Sequence, residues 1–62
     1  MDKEELKALV KKLNAQATQL KMDLHDLSEE LPLGWEKIPE LAARTHEAYK
    51  SLTLARKQLA EN

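Results

Sequence analysis

The first half of the chain carries apolar residues at alternating spacings of four and three, without interruption, over eight positions. These positions are Leu6, Val10, Leu13, Ala17, Leu20, Leu24, Leu27 and Leu31. Because an α-helix turns once every 3.6 residues, this spacing places all eight side chains along one edge, as in the seam of a coiled coil. Such an edge must be covered by another helix, so the pattern predicts a packed helical architecture.

The chain's turn-forming residues lie together in one short stretch. Every glycine and proline is found there: Pro32, Gly34 and Pro39. The residue before a proline is disfavoured in the α region, which ends the first helix, whereas Pro39 suits the first turn of a second helix. We therefore expect one all-α domain, an antiparallel two-helix coiled-coil hairpin. Its expected parts are residues 1–62 as the domain, a helix over about 2–31, a turn over 32–38 and a helix over about 38–60.

The second half repeats the heptad periodicity in two columns. The first column is Ile38, Thr45, Leu52 and Leu59, and the second is Trp35, Ala42, Tyr49 and Arg56. Folding the chain back at the turn then predicts three facing pairs, in which large residues face small ones along the middle. These pairs are Leu27 with Ala42, Leu20 with Tyr49, and Ala17 with Leu52. Trp35 is expected to lie over Leu27 and Leu31 and to close the end of the seam.

A third apolar column in the second half bears on self-association. It consists of Leu41, Ala48 and Ala55. The resulting apolar arc is wider than one facing helix can cover, so we expect two hairpins to pair into a four-helix bundle. A homodimer is the minimum and a homotetramer is an alternative. A different protein that supplies the missing helices is another alternative.

Length, charge and cysteine content exclude several classes of protein. A chain of 62 residues buries a thin core, and the absence of cysteine excludes disulfides and thiolate metal sites as supports. Ten basic residues nearly balance eleven acidic ones, so no net field attracts nucleic acid or an anionic membrane. Met1 is followed by acidic residues, and no apolar run approaches the length of a membrane span. We expect a soluble cytoplasmic protein without a membrane partner.

Charge is distributed unevenly along the predicted hairpin. The turn end gathers the acidic residues Asp26, Glu29, Glu30, Glu36 and Glu40. The open end gathers the basic residues Lys7, Lys11, Lys12, Arg56 and Lys57. Such polarity can pair hairpins head to tail, attract a cation or present a charged face to a partner.

Two histidines near the acidic end are candidate metal ligands. His25 and Glu29 are four residues apart and therefore adjacent on one helical face, with Asp23 and Asp26 close by. In the hairpin, His46 falls at about the level of Asp23 on the opposite helix. Imidazole and carboxylate groups suit a divalent transition metal such as nickel or iron. The alternative interpretation is a solvated face, because the paired Glu-x-x-His motifs of di-iron bundles are missing.

Signals for catalysis or nucleic-acid binding are weak in this sequence. The seam of the first helix is apolar throughout, so it provides no polar pocket for catalytic groups. Neither a nucleophile motif nor a glycine-rich phosphate loop is present, and we expect no enzyme activity. The small basic patch formed by Lys11, Lys12, Arg56 and Lys57 has no aromatic residues beside it. Small helical-hairpin dimers that bind RNA share this general shape, which is analogy of fold alone.

The segment around the turn carries a specific resemblance. The run from Leu31 to Tyr49, with Leu-Pro-x-Gly-Trp-Glu-x-Ile at its start, resembles the signature of a small nitrogen-fixation-associated family. Members of that family are encoded beside the nitrogenase accessory protein NifX. The resemblance extends from about Lys3 to the end of the chain. It implies an antiparallel hairpin that assembles into four-helix bundles, and nickel or iron binding in at least one member, but no established activity.

Two functional hypotheses follow from the residues and the resemblance together. The first is a non-catalytic accessory protein that docks as an oligomeric interaction module onto itself or a nitrogenase accessory protein. The second is a metal-binding protein for nickel or iron, whose candidate ligands are His25, His46, Asp23, Asp26 and Glu29.

Overall fold

The structure is a computed structural model that describes residues 1–61, and its architecture is a hairpin of two long helices. The elements are helix α1 (Lys3–Glu30), a short 3₁₀ helix (Trp35–Lys37) and helix α2 (Ile38–Glu61). The two long helices pack side by side as a rod 45 Å long and 14 Å wide. The all-helical hairpin expected from the periodicity is confirmed. Helix α1 begins one residue later and ends one residue earlier than expected.

A side-chain cap begins helix α1. The backbone N–H of Glu5 donates a hydrogen bond of 2.8 Å to Oδ1 of Asp2, which satisfies one of the unpaired donors of the first turn. Glu4 and Glu5 also lie in that turn, where negative charge is favourable beside the positive end of the helix dipole. The start of α1 is therefore specified by local sequence as well as by packing.

The connection between the helices depends on one glycine. Gly34 has φ of +76°, a left-handed conformation that residues with a Cβ adopt only at a cost. A Cβ at this position would lie 3.1 Å from Cδ1 of Leu27, so the backbone of the turn packs closely against α1. The Leu31–Pro32 peptide bond within the same connection is cis.

The core between the helices consists of leucine and alanine. The buried residues of the described chain are Leu6, Ala17, Leu27, Leu52 and Ala55. Other members of the α1 ladder are half-buried, except Leu31, which lies beyond the helix end and is exposed. The ladder predicted for α1 therefore does face α2. Ala17 and Leu52, which were expected to face each other, are both fully buried at 0% and 1% exposure.

Helix α2 presents a different edge to α1 from the one expected. The residues that face inward, buried or half-buried, are Leu41, Thr45, Ala48, Leu52, Ala55 and Leu59. The column of Ala42, Tyr49 and Arg56, named here the outer column, is exposed instead. The predicted facing of Leu27 with Ala42 and of Leu20 with Tyr49 inside the hairpin is therefore wrong.

A physical reason for this rotation lies in the charge of Arg56. Turning the outer column inward would bury a guanidinium group without a carboxylate partner, which is costly, whereas burying Ala55 is not. In the observed arrangement the Nη2 of Arg56 stays at the surface and donates a 3.1 Å hydrogen bond to Oδ1 of Asn14. Thr45 is tolerated on the inner edge because its hydroxyl donates to the carbonyl of Leu41 at 2.8 Å.

The expected position of Trp35 is also wrong. Its side chain is 65% exposed and does not close the end of the seam. The close approach of Gly34 to Leu27 gives the reason, since the backbone of the turn already covers the end of α1 where the indole was expected.

Two nearby leucines of α2 should differ in how much they contribute to the free energy of unfolding. Replacing Leu52, which is 1% exposed, by alanine should lower the free energy of unfolding by about 2–5 kcal/mol because it leaves a cavity. Leu54→Ala is the matched control, since this side chain is 54% exposed and its loss should change stability by less than about 0.5 kcal/mol. Thermal unfolding followed by circular dichroism at one fixed protein concentration measures both. Equal destabilisation by the two variants would contradict the observed core.

Candidate interaction surfaces and metal ligands

The closest contact among the candidate metal ligands joins His25 to Glu29. The Nε2 of His25 lies 2.6 Å from Oε1 of Glu29, as expected for residues four apart on one helical face. Both side chains are about two-thirds exposed. The pair is an ion pair when the imidazole is protonated. Glu29 lies in the last turn of α1 and His25 one turn earlier.

The other candidate ligands make different contacts. Asp23 accepts a 3.0 Å hydrogen bond from Nε2 of Gln19, one turn earlier on α1. Asp26 lines a shallow depression of α1 together with His25. His46 lines a separate depression formed by α2 residues, and its Nδ1 lies 3.7 Å from Oε1 of Glu47.

The arrangement of these groups leaves the metal hypothesis as a prediction. Within residues 1–61, no three histidine or carboxylate side chains come together as a metal-binding group. His25 and Glu29 supply two ligand atoms, whereas protein metal sites generally use three or four. Further ligands would have to come from water or from a second chain. The sequence places Asp23 and His46 at about the same height along the hairpin. A common height does not by itself bring the five candidate ligands into contact.

Two apolar surfaces flank the contact between the helices. One is a groove with Leu13, Leu20 and Ala48 on its floor and polar side chains, including Arg44 and Glu47, around it. The other is a depression along α2 beside Tyr49, a member of the outer column. Tyr49 is 37% exposed, although its position in the heptad is that of a core residue. The apolar arc of the hairpin therefore exceeds what its two helices cover.

The connection between the helices, together with the first residue of α2, carries a third apolar surface, which sequence reasoning missed. Its members are Leu31, Leu33, Trp35 and Ile38, and all four are exposed; this set is named here the tip surface. Extending the heptad columns back to Trp35 hid this feature. The α-helical phase of α2 does not extend back to Trp35, because Trp35–Lys37 form a 3₁₀ helix; the turn residues just before it, Pro32 and Gly34, are the sequence signal of this irregular segment.

A helix that crosses a membrane needs a long, predominantly apolar segment. Neither α1 nor α2, within residues 1–61, has a segment that is long and apolar enough to do so.

Comparison with known proteins places the chain in a family. The family model described as Rop-like matches residues 1–62. A UPF0437 protein of Azorhizobium caulinodans is 52% identical over 60 residues, which cover 97% of this chain and 87% of that protein. A Frankia alni relative, named as a UPF0437 protein in the nifX-nifW intergenic region, is 51% identical over 45 residues. That match covers 73% of this chain and 55% of the Frankia protein.

A solved structure agrees with the hairpin described above. The NMR structure of the structural-genomics target McR1 is 61% identical and superimposes with a TM-score of 0.90. The match covers 98% of this chain and 86% of that one. The expected relation to a small NifX-associated helical family of unknown function is confirmed by these relatives. The chain belongs to the Rop-like family and is a relative of the UPF0437 proteins.

Proposed function

We propose that this protein is a non-catalytic helical-hairpin accessory protein of nitrogen fixation that acts as a self-associating interaction module. The observation that carries the proposal is the apolar arc of the hairpin, which its own two helices leave partly uncovered. The exposed outer column and the half-buried leucines of α1 form this uncovered part.

The thin core supports pairing of two hairpins. A domain of this length buries about 60% of the surface of its unfolded chain, and small domains generally need a further source of stability. A second copy supplies it by forming a four-helix bundle, in which each helix is covered on two sides. Along the outer column the small Ala42 and the large Tyr49 are one heptad apart, and such alternation allows facing layers to interdigitate.

The outer column is the side that we assign to pairing. The groove on the opposite side is bordered by Arg44 and Glu47, which a second copy would have to desolvate. The outer column has one charged member, Arg56, which is exposed and bonds to Asn14 at the surface, so pairing through Ala42 and Tyr49 can leave its guanidinium at the rim, in water. The cost of covering this side is therefore smaller.

The biological context of the proposal comes from the relatives. The Frankia alni protein is named for its place between nifX and nifW. The core of this chain, formed by leucine and alanine, supports an interaction role rather than catalysis in the interior. A cytoplasmic location is part of the same proposal.

Self-association can be tested with two adjacent alanines. Ala42→Glu places a charge on the outer column and should shift the protein from dimer to monomer in sedimentation velocity, because the carboxylate would be buried without a partner. Ala43→Glu is the matched control, since Ala43 lines the groove on the other side, and it should leave the dimer intact. Both residues are exposed in the single hairpin, so circular dichroism should show unchanged helicity. A monomeric wild-type protein, or dissociation by Ala43→Glu alone, would contradict the assignment.

The link to nitrogen fixation is testable in a nitrogen-fixing host that carries this gene. Deletion should slow growth on dinitrogen and lower acetylene reduction, without an effect when ammonium is supplied. Complementation with the wild-type gene should restore both, whereas the Ala42→Glu variant should restore neither, provided that immunoblotting shows equal protein levels. Growth of the deletion strain on dinitrogen at the same rate as the wild type would argue against the accessory role.

Binding of nickel or iron is the second candidate function, and the contact of His25 with Glu29 is the observation that favours it. Calorimetric titration with nickel chloride should show tighter binding by the wild type than by the His25→Ala, His46→Ala double variant. Equal weak binding by both proteins would eliminate the proposed site.

A further inference from the structure

The tip surface is an exposed segment made largely of apolar side chains. Leu33 is 75% exposed and Trp35 is 65% exposed, and Leu31 and Ile38 add to the same short segment. Single exposed apolar residues are common on protein surfaces, but four of them between the end of α1 and the start of α2, over residues 31–38, are the kind of group that marks an interaction site. Tryptophan in particular contributes strongly to binding energy when a partner covers it.

The backbone beneath this surface is held by hydrogen bonds. Leu33 N–H donates to the carbonyl of Glu30 at 3.0 Å, and Lys37 N–H donates to the carbonyl of Gly34 at 2.9 Å. The packing of Gly34 against Leu27 adds a contact with α1. A partner would therefore meet a surface that is already ordered, and ordering the backbone would cost little on binding.

In the side-by-side pairing proposed above, we expect a second hairpin to leave this surface uncovered. Pairing through the outer column lays the rods side by side and covers the flanks of the helices. Leu33 and Trp35 lie in the connection, outside both long helices, at one end of a rod 45 Å long. The tip surface therefore calls for an occupant other than the one that covers the outer column.

Charge around the tip surface identifies the chemistry of that occupant. Between residues 29 and 40 the acidic residues are Glu29, Glu30, Glu36 and Glu40, and the one basic residue is Lys37. The ion pairs found among residues 1–61 are Lys7–Glu4, His25–Glu29 and His46–Glu47. The carboxylates of Glu30, Glu36 and Glu40 thus have no ion-pair partner in the described chain. An apolar patch with such a border complements an apolar stripe bordered by lysine or arginine.

We propose that the tip surface docks a basic amphipathic helix of another protein, with Leu33 and Trp35 in contact with its apolar stripe and the surrounding glutamates facing its basic residues. This docking is separate from the pairing of hairpins, and the two can be tested independently.

Trp35 provides the readout, because it is the one tryptophan of the chain. A tryptophan-free helical peptide of leucine and lysine serves as the probe, and a matched peptide with glutamate in place of lysine serves as its control. Titration with the basic peptide should shift the Trp35 emission to shorter wavelength and saturate. The acidic peptide should leave the emission unchanged.

Variants then locate the binding. Leu33→Ser should weaken binding of the basic peptide by about tenfold, whereas Leu54→Ser, at an exposed leucine of α2 away from the tip, should not change it. Glu36→Lys should weaken binding and reduce its salt dependence, whereas Glu61→Lys at the open end should have a smaller effect. Circular dichroism of each variant checks the fold.

Three results would overturn the proposal. The first is equal binding of the basic and acidic peptides, and the second is equal weakening by Leu33→Ser and Leu54→Ser. The third is dissociation of the wild-type oligomer by Leu33→Ser in sedimentation velocity, which would make a second copy the occupant of the tip. Sedimentation of Ala42→Glu reports on the outer column alone, so failure of the pairing proposal is distinguishable from failure of this one.

Discussion

Burial of one apolar edge between two helices is the interaction on which this structure depends. A helix in a two-helix hairpin can bury only the side that faces its single neighbour, and the buried residues of the described chain are accordingly five leucines and alanines. Leu52 and Ala17 are the most buried of them. Other apolar side chains are left on the flanks and at the tip, and these remaining surfaces are the ones to which we assign association in our proposals.

Much of the fold could be predicted because the relevant signals are local. The α1 ladder follows from helical periodicity, and its end follows from Pro32 and the left-handed Gly34. The rotation of α2 could not be predicted in the same way, since three apolar columns competed for one inward position. The choice between Ala55 and Arg56 depends on the cost of burying a charge at one level of the hairpin. Periodicity alone does not include that cost.

In the candidate site too, contacts within one helix could be predicted from the sequence, whereas contacts between elements could not. The contact of His25 with Glu29 was predictable, because both residues belong to one helix and their spacing defines their distance. The position of His46 relative to this pair depends on how α2 is rotated about its axis, and the sequence did not specify that rotation. The tip surface was missed for a related reason, since the exposure of Trp35 depends on the path of the turn and on the approach of Gly34 to Leu27.

The reversal of the chain at Gly34 has a consequence for how this fold can be elaborated. Both termini of a hairpin leave from the end opposite its turn, and here the rod measures 45 Å. A segment appended before α1 or after α2 would therefore start at the far end of the rod. A tether, tag or domain fused there would lie at the opposite end of the rod from the turn and would leave the turn accessible.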